Sequence, residues 1–418
     1  MKKTKVIGIF GYNNTRLYDV KNLQNLAKKR FNAEILLIKE GISSADREVT
    51  PFCLDHKPED PHITSILNEY LLSINLEMIV AMPFSDKGVI GAAHFANDMN
   101  LFGDDATTSL AMVDKKEFRV LEAVLMADAL EYKIPFFDIA NSEDEILRIY
   151  AKRRKFFIKP TSEGNSRGCM AINSLADVKA WLSQFRHLIP HGVICEEILS
   201  KNNEYSFDGV GNKFWITRKF TAEGAYRAEY QHIVPAPLND DVRKRIHFHL
   251  EPLMKKLGSN GGAFHHEFFL LESGQIASVV PNRRPAGMWI WDLASWAHID
   301  FDPWMRWMDH CVNGFSPKFE LKPDGFAGIR AVIAKQNGVL KKLDMASMRA
   351  ELFELFGEDN VRIAALKEVS QKVNSVPRDN SDFLGYVALR NKEYDRLLVS
   401  LEKANEIFIK YCEVLPCD

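Results

Sequence analysis

The chain has 418 residues and a mass of 47.7 kDa, with 46% hydrophobic and 26% charged residues. At roughly 150 residues per domain this suffices for two or three domains with sizeable cores. Lys+Arg 54 against Asp+Glu 56 leaves a formal charge of −2, which argues against a globally basic nucleic-acid binder. The most apolar stretch, residues 71–84, is interrupted by Glu77 and Pro83, so no membrane span is expected. Residues 1–4 run directly into a strand-like segment, so no signal peptide is expected. The cysteines at 53, 169, 195, 311, 412 and 417 form no C-x-x-C pair, a usage that fits reduced thiols in a cytoplasmic protein.

The first hundred or so residues alternate strand and helix patterns. Residues 6–10, 35–38 and 76–82 are short Val/Ile-rich runs, and amphipathic patterns over 20–31, 63–72 and 88–97 separate them. That alternation predicts a parallel sheet covered by helices. Beyond Thr108 the pattern changes. Helices are expected over 115–130 and 143–150, and a strand over 156–158 follows the basic turn Lys152-Arg153-Arg154-Lys155. Three strands are expected between Val193 and Phe220, joined by hairpin turns near Lys201–Asn203 and at Gly211-Asn212. A helix over 240–257 precedes a hairpin of 263–271 with 275–280, turning at Glu272-Ser273-Gly274. Two further helices carry Trp289, Trp291, Trp296, Trp304 and Trp307, five of the seven tryptophans. The last 95 or so residues mix strands (329–334, 361–365) with helices (347–356, 393–411).

Three stretches carry chemistry. Lys159-Pro160-Thr161-Ser162-Glu163-Gly164-Asn165-Ser166-Arg167-Gly168 follows a strand and is rich in small polar residues and glycine. Such a loop can fold its backbone N–H groups around phosphate oxygens while the lysine adds a point charge, although no Walker G-K-[ST] opens a helix here. It reads equally as a surface hairpin turn. Next, Cys195-Glu196-Glu197-Ile198-Leu199 is followed by Glu204-Tyr205-Ser206-Phe207-Asp208, two acidic stretches that otherwise read as solvated strand ends. Third, Gly262-Ala263-Phe264-His265-His266-Glu267-Phe268 is answered by Val279-Val280-Pro281-Asn282-Arg283-Arg284-Pro285-Ala286-Gly287. A period of two places His265, Glu267 and Phe269 on one face, and Ser278, Val280 and Asn282 on one face of the partner strand. Glu267 and Asn282 could then hold a magnesium ion and Arg284 clamp a transferring phosphoryl group. Adjacent histidines on a strand diverge, so His265-His266 is no zinc pair.

Together these stretches resemble the ATP-grasp superfamily over nearly the whole chain. The resemblance implies an α/β, ATP-grasp fold with an N-terminal parallel-sheet pre-ATP-grasp domain (1–110), an N-lobe carrying the glycine-rich lid (111–195), a C-lobe with the metal and phosphate hairpin (196–320), and a C-terminal α+β extension (321–418). It implies that Lys115 (of Asp114-Lys115) and Lys159 bind the phosphates of ATP. Ser166, Arg167 and Gly168 would form the lid. Glu196, Glu197 and the backbone near Ile198 would seat the adenine, and Glu204 the ribose, in the Glu-x(7)-Glu-Tyr spacing. Glu267 and Asn282 would hold Mg2+, with Arg284 on the transferred phosphoryl group.

The family's Glu-x-Asn-x-Arg run here has Val280 in place of its glutamate, which removes a ligand from the usual two-metal arrangement. The implied activity is an ATP-dependent carboxylate–amine (or thiol) ligase acting through an acyl phosphate on a small-molecule carboxylate. Val280 keeps open a nucleotide-binding protein with altered or lost chemistry, and a carboxylase-type enzyme is the remaining alternative. Small-molecule carboxylate and amine substrates, and a homodimer, are the expected partners. Asp292 is a lesser candidate to approach the metal, its commoner role being to balance a helix dipole. Of Arg218 and Lys219, adjacent on a strand, at most one can face the site. Trp289 or Trp291 could wall an apolar substrate.

Overall fold

The computed structural model describes residues 3–12, 16–164, 167–199, 203–222, 226, 228–315 and 319–416. Strands β1 (Thr4–Phe10), β2 (Glu34–Lys39), β3 (Cys53–Asp55) and β4 (Leu76–Pro83) form a parallel sheet in the order β3-β2-β1-β4. Their near-continuous apolar runs are buried on both faces, as a parallel sheet between helices requires. The helix after β4, Asp86–Asp98, begins two residues before the sequence pattern suggests. It therefore starts with an aspartate beside the sheet's C-terminal edge.

A second sheet contains β5 (Phe137–Ala140), β6 (Phe156–Pro160), β7 (Met170–Ile172) and β8 (Val193–Glu196), in the antiparallel order β5-β8-β6-β7. Helices Glu143–Arg153 and Leu175–Phe185 cover one of its faces around Ile158, Ile172 and Trp181. The predicted solvated turn at 152–155 is partly the end of the first of these helices, where Lys152 and Arg153 both pair with Asp138.

The third sheet takes β9 (Glu204–Val210), β10 (Lys213–Thr221), β11 (Glu229–Val234), β12 (Ala263–Leu270), β13 (Ile276–Asn282) and β14 (Phe326–Val332). Beyond these lie β15 (Gly338–Leu343), β16 (Val361–Ala365), β17 (Lys372–Val373), β18 (Gly385–Asn391) and β19 (Cys412–Leu415). The large sheet runs β13-β12-β9-β10-β11-β14-β18-β16, and β17-β15-β19 form a small separate one. Residues on both sides of position 320 thus share one eight-stranded sheet.

Three local expectations are corrected. β8 and β9 lie in different sheets, so no hairpin joins them; the chain there crosses between lobes, and Lys201 of the expected turn lies outside the described residues. The helix expected over 115–130 ends at Leu125. Main-chain bonds of Glu131 and Lys133 with Ile276 draw the following segment onto the edge of β13. The expected period of two along β13 breaks at Val279, where the register slips by one residue between Glu267 and Phe268. Such a bulge turns the residues on either side of it to opposite faces. Ser278 accordingly meets His266 Nε2 at 2.6 Å on the face away from Glu267, whereas Val280 pairs with Glu267 and Asn282 with His265.

The tryptophan cluster is mainly core. Trp291, Trp304 and Trp307 are buried against one another, and Phe84 from the end of β4 stacks on Trp304 at 5.8 Å. These rings weld the first domain to the large sheet within a single chain. Trp289 differs: its φ of 54° is left-handed, it sits half-buried with an edge toward Tyr386, and it faces the central cavity.

Candidate active site

A cavity of about 1290 Å³ lies between the four-stranded antiparallel sheet and the large sheet, and reaches the first domain and the C-terminal segment. Of the residues singled out in the sequence, Lys115, Lys159, Glu196, Glu197, Glu204, Glu267, Asn282 and Arg284 line it. Arg167, Gly168 and Ile198 do not, and Ser166 lies outside the described residues. Leu199 occupies the lining position expected near Ile198.

On the small-sheet side, Asp114 caps helix Lys115–Leu125 by accepting from the N–H groups of Lys116 and Glu117. That cap turns Lys115 inward, and its ammonium donates to the Glu163 carbonyl at 2.8 Å and the Thr161 carbonyl at 3.4 Å. The glycine loop is thereby tied to the helix start. Gly168 has φ +70°, and a Cβ there would come within 2.9 Å of both Pro160 and Leu188, so this end of the loop requires glycine. Its carbonyl accepts from the Trp181 indole at 2.8 Å, and the exposed Arg167 pairs with Glu163 at 3.3 Å.

Lys159 donates to the Oε2 of Glu196, whose Oε1 accepts from Arg119 Nε at 2.6 Å. Burial would raise the Glu196 carboxyl, but the two cations prevail and hold it down at about 2. Both its oxygens are thus engaged by side chains, and the neighbouring Glu197 pairs with Lys133. Sequence reasoning misses Arg119. Beyond Glu196, it donates to Glu122 at 2.6 Å and to the Ser278 carbonyl at 2.8 Å, clasping β8 to the β13 bulge. A signal for it exists: it lies four residues past Lys115 and so shares that helix face.

The large sheet presents a polar face to the cavity, because alternation places Glu204, Ser206 and Asp208 of β9 beside Thr217 and Lys219 of β10 and His265 and Glu267 of β12. The opposite face, with Phe207, Phe264 and Phe268, packs on Phe118, Ile246 and Leu250 of helices Lys115–Leu125 and Asp240–Lys256. Lys219 is the centre of the polar face. Its ammonium pairs with Glu267, with Glu229 at 2.6 Å and with Glu204 at 3.6 Å. Arg218 points the other way, onto the Tyr205 ring and hydroxyl. Glu229 and His232, joined at 3.0 Å, escape the sequence patterns because β11 is not evident there as a strand. His265 bridges Asp208 at 2.7 Å and Glu267 at 3.4 Å; burial disfavours its charge, yet the two carboxylates raise its pKa above the ordinary value.

Magnesium prefers hard oxygen donors, and often uses one or two carboxylates with phosphate oxygens and water. Glu267 and Asn282 stand on one face of paired strands and supply one carboxylate and one amide, with the hydrocarbon of Val280 directly across from Glu267. Among the described residues no group of three or more His, Cys, Asp or Glu is arranged to hold a metal unaided. The donor set therefore fits one ion shared with a phosphate-bearing ligand. Arg284 is held side-on by Asp86 of the first domain, Nε to Oδ1 at 2.7 Å and Nη2 to Oδ2 at 3.3 Å. Asp292 is turned toward Arg362 at 3.0 Å; burial and Asp19 push its carboxyl up to about 6.

Two antiparallel sheets gripping a cleft, preceded by a parallel-sheet domain, make this the ATP-grasp fold. Solved structures agree over the full length. The chain is similar to an L-amino acid ligase from Bacillus licheniformis, with a TM-score of 0.75, 14% identity and 100% of each chain covered. It is similar to an N5-carboxyaminoimidazole synthetase from Staphylococcus aureus complexed with ADP (TM-score 0.69, 14% identity, 97% of this chain and 98% of that one). It is also similar to the biotin carboxylase domain of the Hydrogenobacter thermophilus 2-oxoglutarate carboxylase, solved with MgADP and bicarbonate (TM-score 0.66, 12% identity, 99% and 91%). No protein-family model and no curated protein sequence matches the chain. No helix among the described residues is long and apolar enough to cross a membrane.

Proposed function

We propose that the protein is an ATP-dependent carboxylate–amine ligase acting through an acyl phosphate. The observation that carries this reading is the extent of one continuous cavity. Pockets for single small ligands occupy about 300–1,000 Å³. This one, at about 1290 Å³, continues past the nucleotide-facing groups to Arg16, Asp19, Trp289, Asp292 and Arg362. A protein that only sensed a nucleotide would have no use for that second half, whereas a ligase must hold a carboxylate and an amine beside the phosphates.

In this reading Lys115 and Lys159 balance phosphate charge from the small-sheet side, beside Ser162, Glu163 and Gly164 of the glycine-rich loop. Glu204 accepts from the ribose, and Glu267 with Asn282 would hold Mg2+, which when bound would supply charge neutralisation at the phosphates. Arg284 steadies that group while a substrate carboxylate oxygen forms the new O–P bond and ADP departs. The amine then forms the C–N bond as the C–O bond to phosphate breaks and the amine proton leaves. Enclosure between two sheets and a loop excludes the water that would hydrolyse an acyl phosphate.

Measuring ADP release with panels of small carboxylates and amines, alongside Mg2+-dependent ATP binding, tests the reading. ADP formation that requires both substrates is expected, with a condensed product by mass. Tight ATP binding without substrate-stimulated turnover would instead support altered chemistry, the reading that Val280 favours. Bicarbonate-dependent turnover stimulated by free biotin would support a carboxylase.

A pH dependence follows from Glu204. Burial, opposed by Lys219 but reinforced by Glu229 and Glu267, pushes its carboxyl up to about 7. Its anionic form, the better acceptor for ribose hydroxyls, therefore appears as pH rises through 7. A hydrogen bond to a charged group contributes about 1.5–3 kcal/mol, so MgADP should bind roughly tenfold tighter at pH 8 than at pH 6. Titration calorimetry on Glu204→Gln corrects for the phosphates' own titration: an equal pH dependence in the variant would remove Glu204 from the ribose. The same elevated pKa makes the group's contribution to folding decline between its ordinary value of 4.5 and about 7.

A further inference from the structure

The first domain contributes one carboxylate directly to the phosphoryl end of the cavity. Asp86 opens helix Asp86–Asp98 and faces three other parts of the chain. Its two oxygens take the Nε and Nη2 of Arg284 from the hairpin. The Cα of Gly164 in the glycine loop lies so close that a Cβ there would stand 3.2 Å from Asp86 Oδ2. Lys115 and His265 are near enough, with Arg284, to hold the Asp86 carboxyl below its ordinary value against the effect of burial.

Arg283 next door shows what a purely structural arginine does here. It is 1% exposed, and it donates to the carbonyls of Asp105 and Leu257 and to Thr108, with no carboxylate among these partners. Arg284, by contrast, is gripped along one edge by a carboxylate. Among the described residues its outer edge donates to the neighbouring Pro285 carbonyl, at 3.2 Å from Nη1, and it borders the cavity. A side-on bidentate pair fixes the plane of a guanidinium as well as its place.

We propose that Asp86 is a positioning residue: it holds the guanidinium plane of Arg284 so that the cavity-facing edge meets the phosphoryl group, and it does so from the first domain. The transfer site is then complete only when the first domain, the glycine loop and the hairpin converge on this carboxylate. The proposal rests on the ligase reading for its kinetic readout.

The test is a double-mutant cycle of Asp86→Asn and Arg284→Gln in the full-length protein. Asp86→Asn should lower kcat tenfold or more and leave the KM for ATP within twofold, with Asp86→Glu recovering part of the loss. In the Arg284→Gln background it should cost nothing further, since residues acting as one unit are not additive. Unchanged kcat in Asp86→Asn, or fully additive losses, would overturn the proposal. If the wild-type protein turns over no substrate pair, the ligase reading fails by itself, and binding of inorganic phosphate to the MgADP-loaded protein takes over as readout. Asp86→Asn should then weaken phosphate at least fivefold while ADP affinity is kept. Equal phosphate binding, or a parallel loss of ADP binding, would overturn the positioning role.

Discussion

Replacing Lys219 with methionine is expected to destabilise the large sheet by about 3–5 kcal/mol at neutral pH, the usual effect of removing one partner from a buried charge cluster. Lys219 is 2% exposed and pairs with three carboxyl groups on three different strands. Methionine preserves most of the volume but leaves Glu204, Glu229 and Glu267 facing one another without the ammonium, His232 remaining paired with Glu229 and His265 with Glu267. The pH dependence gives the effect a signature. In the native protein burial acts to raise the carboxyls of Glu229 and Glu267, but Lys219 prevails and holds both below their ordinary values. Groups with lowered pKa contribute stability above the unfolded value near 4.5 and lose it as pH falls through the folded value. Without the ammonium the sign reverses: these carboxyls rise, and the variant gains stability as acid protonates them. Urea unfolding should therefore show a wide gap between native and variant at pH 8 and a narrower one at pH 5.5. A difference below about 1 kcal/mol at pH 8 would show that the cluster is well solvated and Lys219 is not its keystone.

The second large effect concerns the proposed magnesium site. Glu267→Gln should lower turnover about 10²–10³-fold, the loss typical when a group that stabilises transition-state charge is removed. Val280→Glu should act in the opposite direction on metal affinity. Val280 is the cross-strand partner of Glu267, and directly opposed residues on paired strands have Cβ atoms roughly 4.5–5.5 Å apart. A glutamate there would add a second carboxylate to the same face. The Mg2+ concentration giving half-maximal ATP binding should fall about tenfold, equivalent to about 1.4 kcal/mol. Calorimetry of ATP binding across a magnesium series reads this without any turnover. An unchanged magnesium dependence in both variants would show that Glu267 is not a metal ligand and serves instead to pair with Lys219 and His265.

Much of the site is legible in the amino-acid sequence. The parallel first sheet follows from strand and helix alternation, and the two cavity lysines and the hairpin residues Glu267, Asn282 and Arg284 follow from motif order. Alternation along β10 also implies that Arg218 and Lys219 diverge, as they do. Other parts are illegible for identifiable reasons. Arg119 has no motif to announce it, since its importance comes from reaching Glu196 and the Ser278 carbonyl, 77 and 159 residues away. Glu229 and His232 depend on recognising β11. Simple alternation puts Ser278 on the wrong face because the bulge at Val279 is set by pairing between strands, and a single strand's pattern does not show it.

The sequence by itself determined the local chemistry: which residue types follow which strand, a helix beginning at Lys115, a glycine-rich loop after Lys159, and a valine at position 280 between the polar residues of the hairpin. Those properties depend on near neighbours and are encoded within a few residues. Tertiary structure alone decided which charges share a partner. It spent both oxygens of Glu196 on Arg119 and Lys159, gathered three glutamates around Lys219, and brought Asp86 against Arg284 across 198 positions of chain. Burial and proximity in space, which no local pattern contains, decide which of these charges face one another and with it the chemistry the cavity can support.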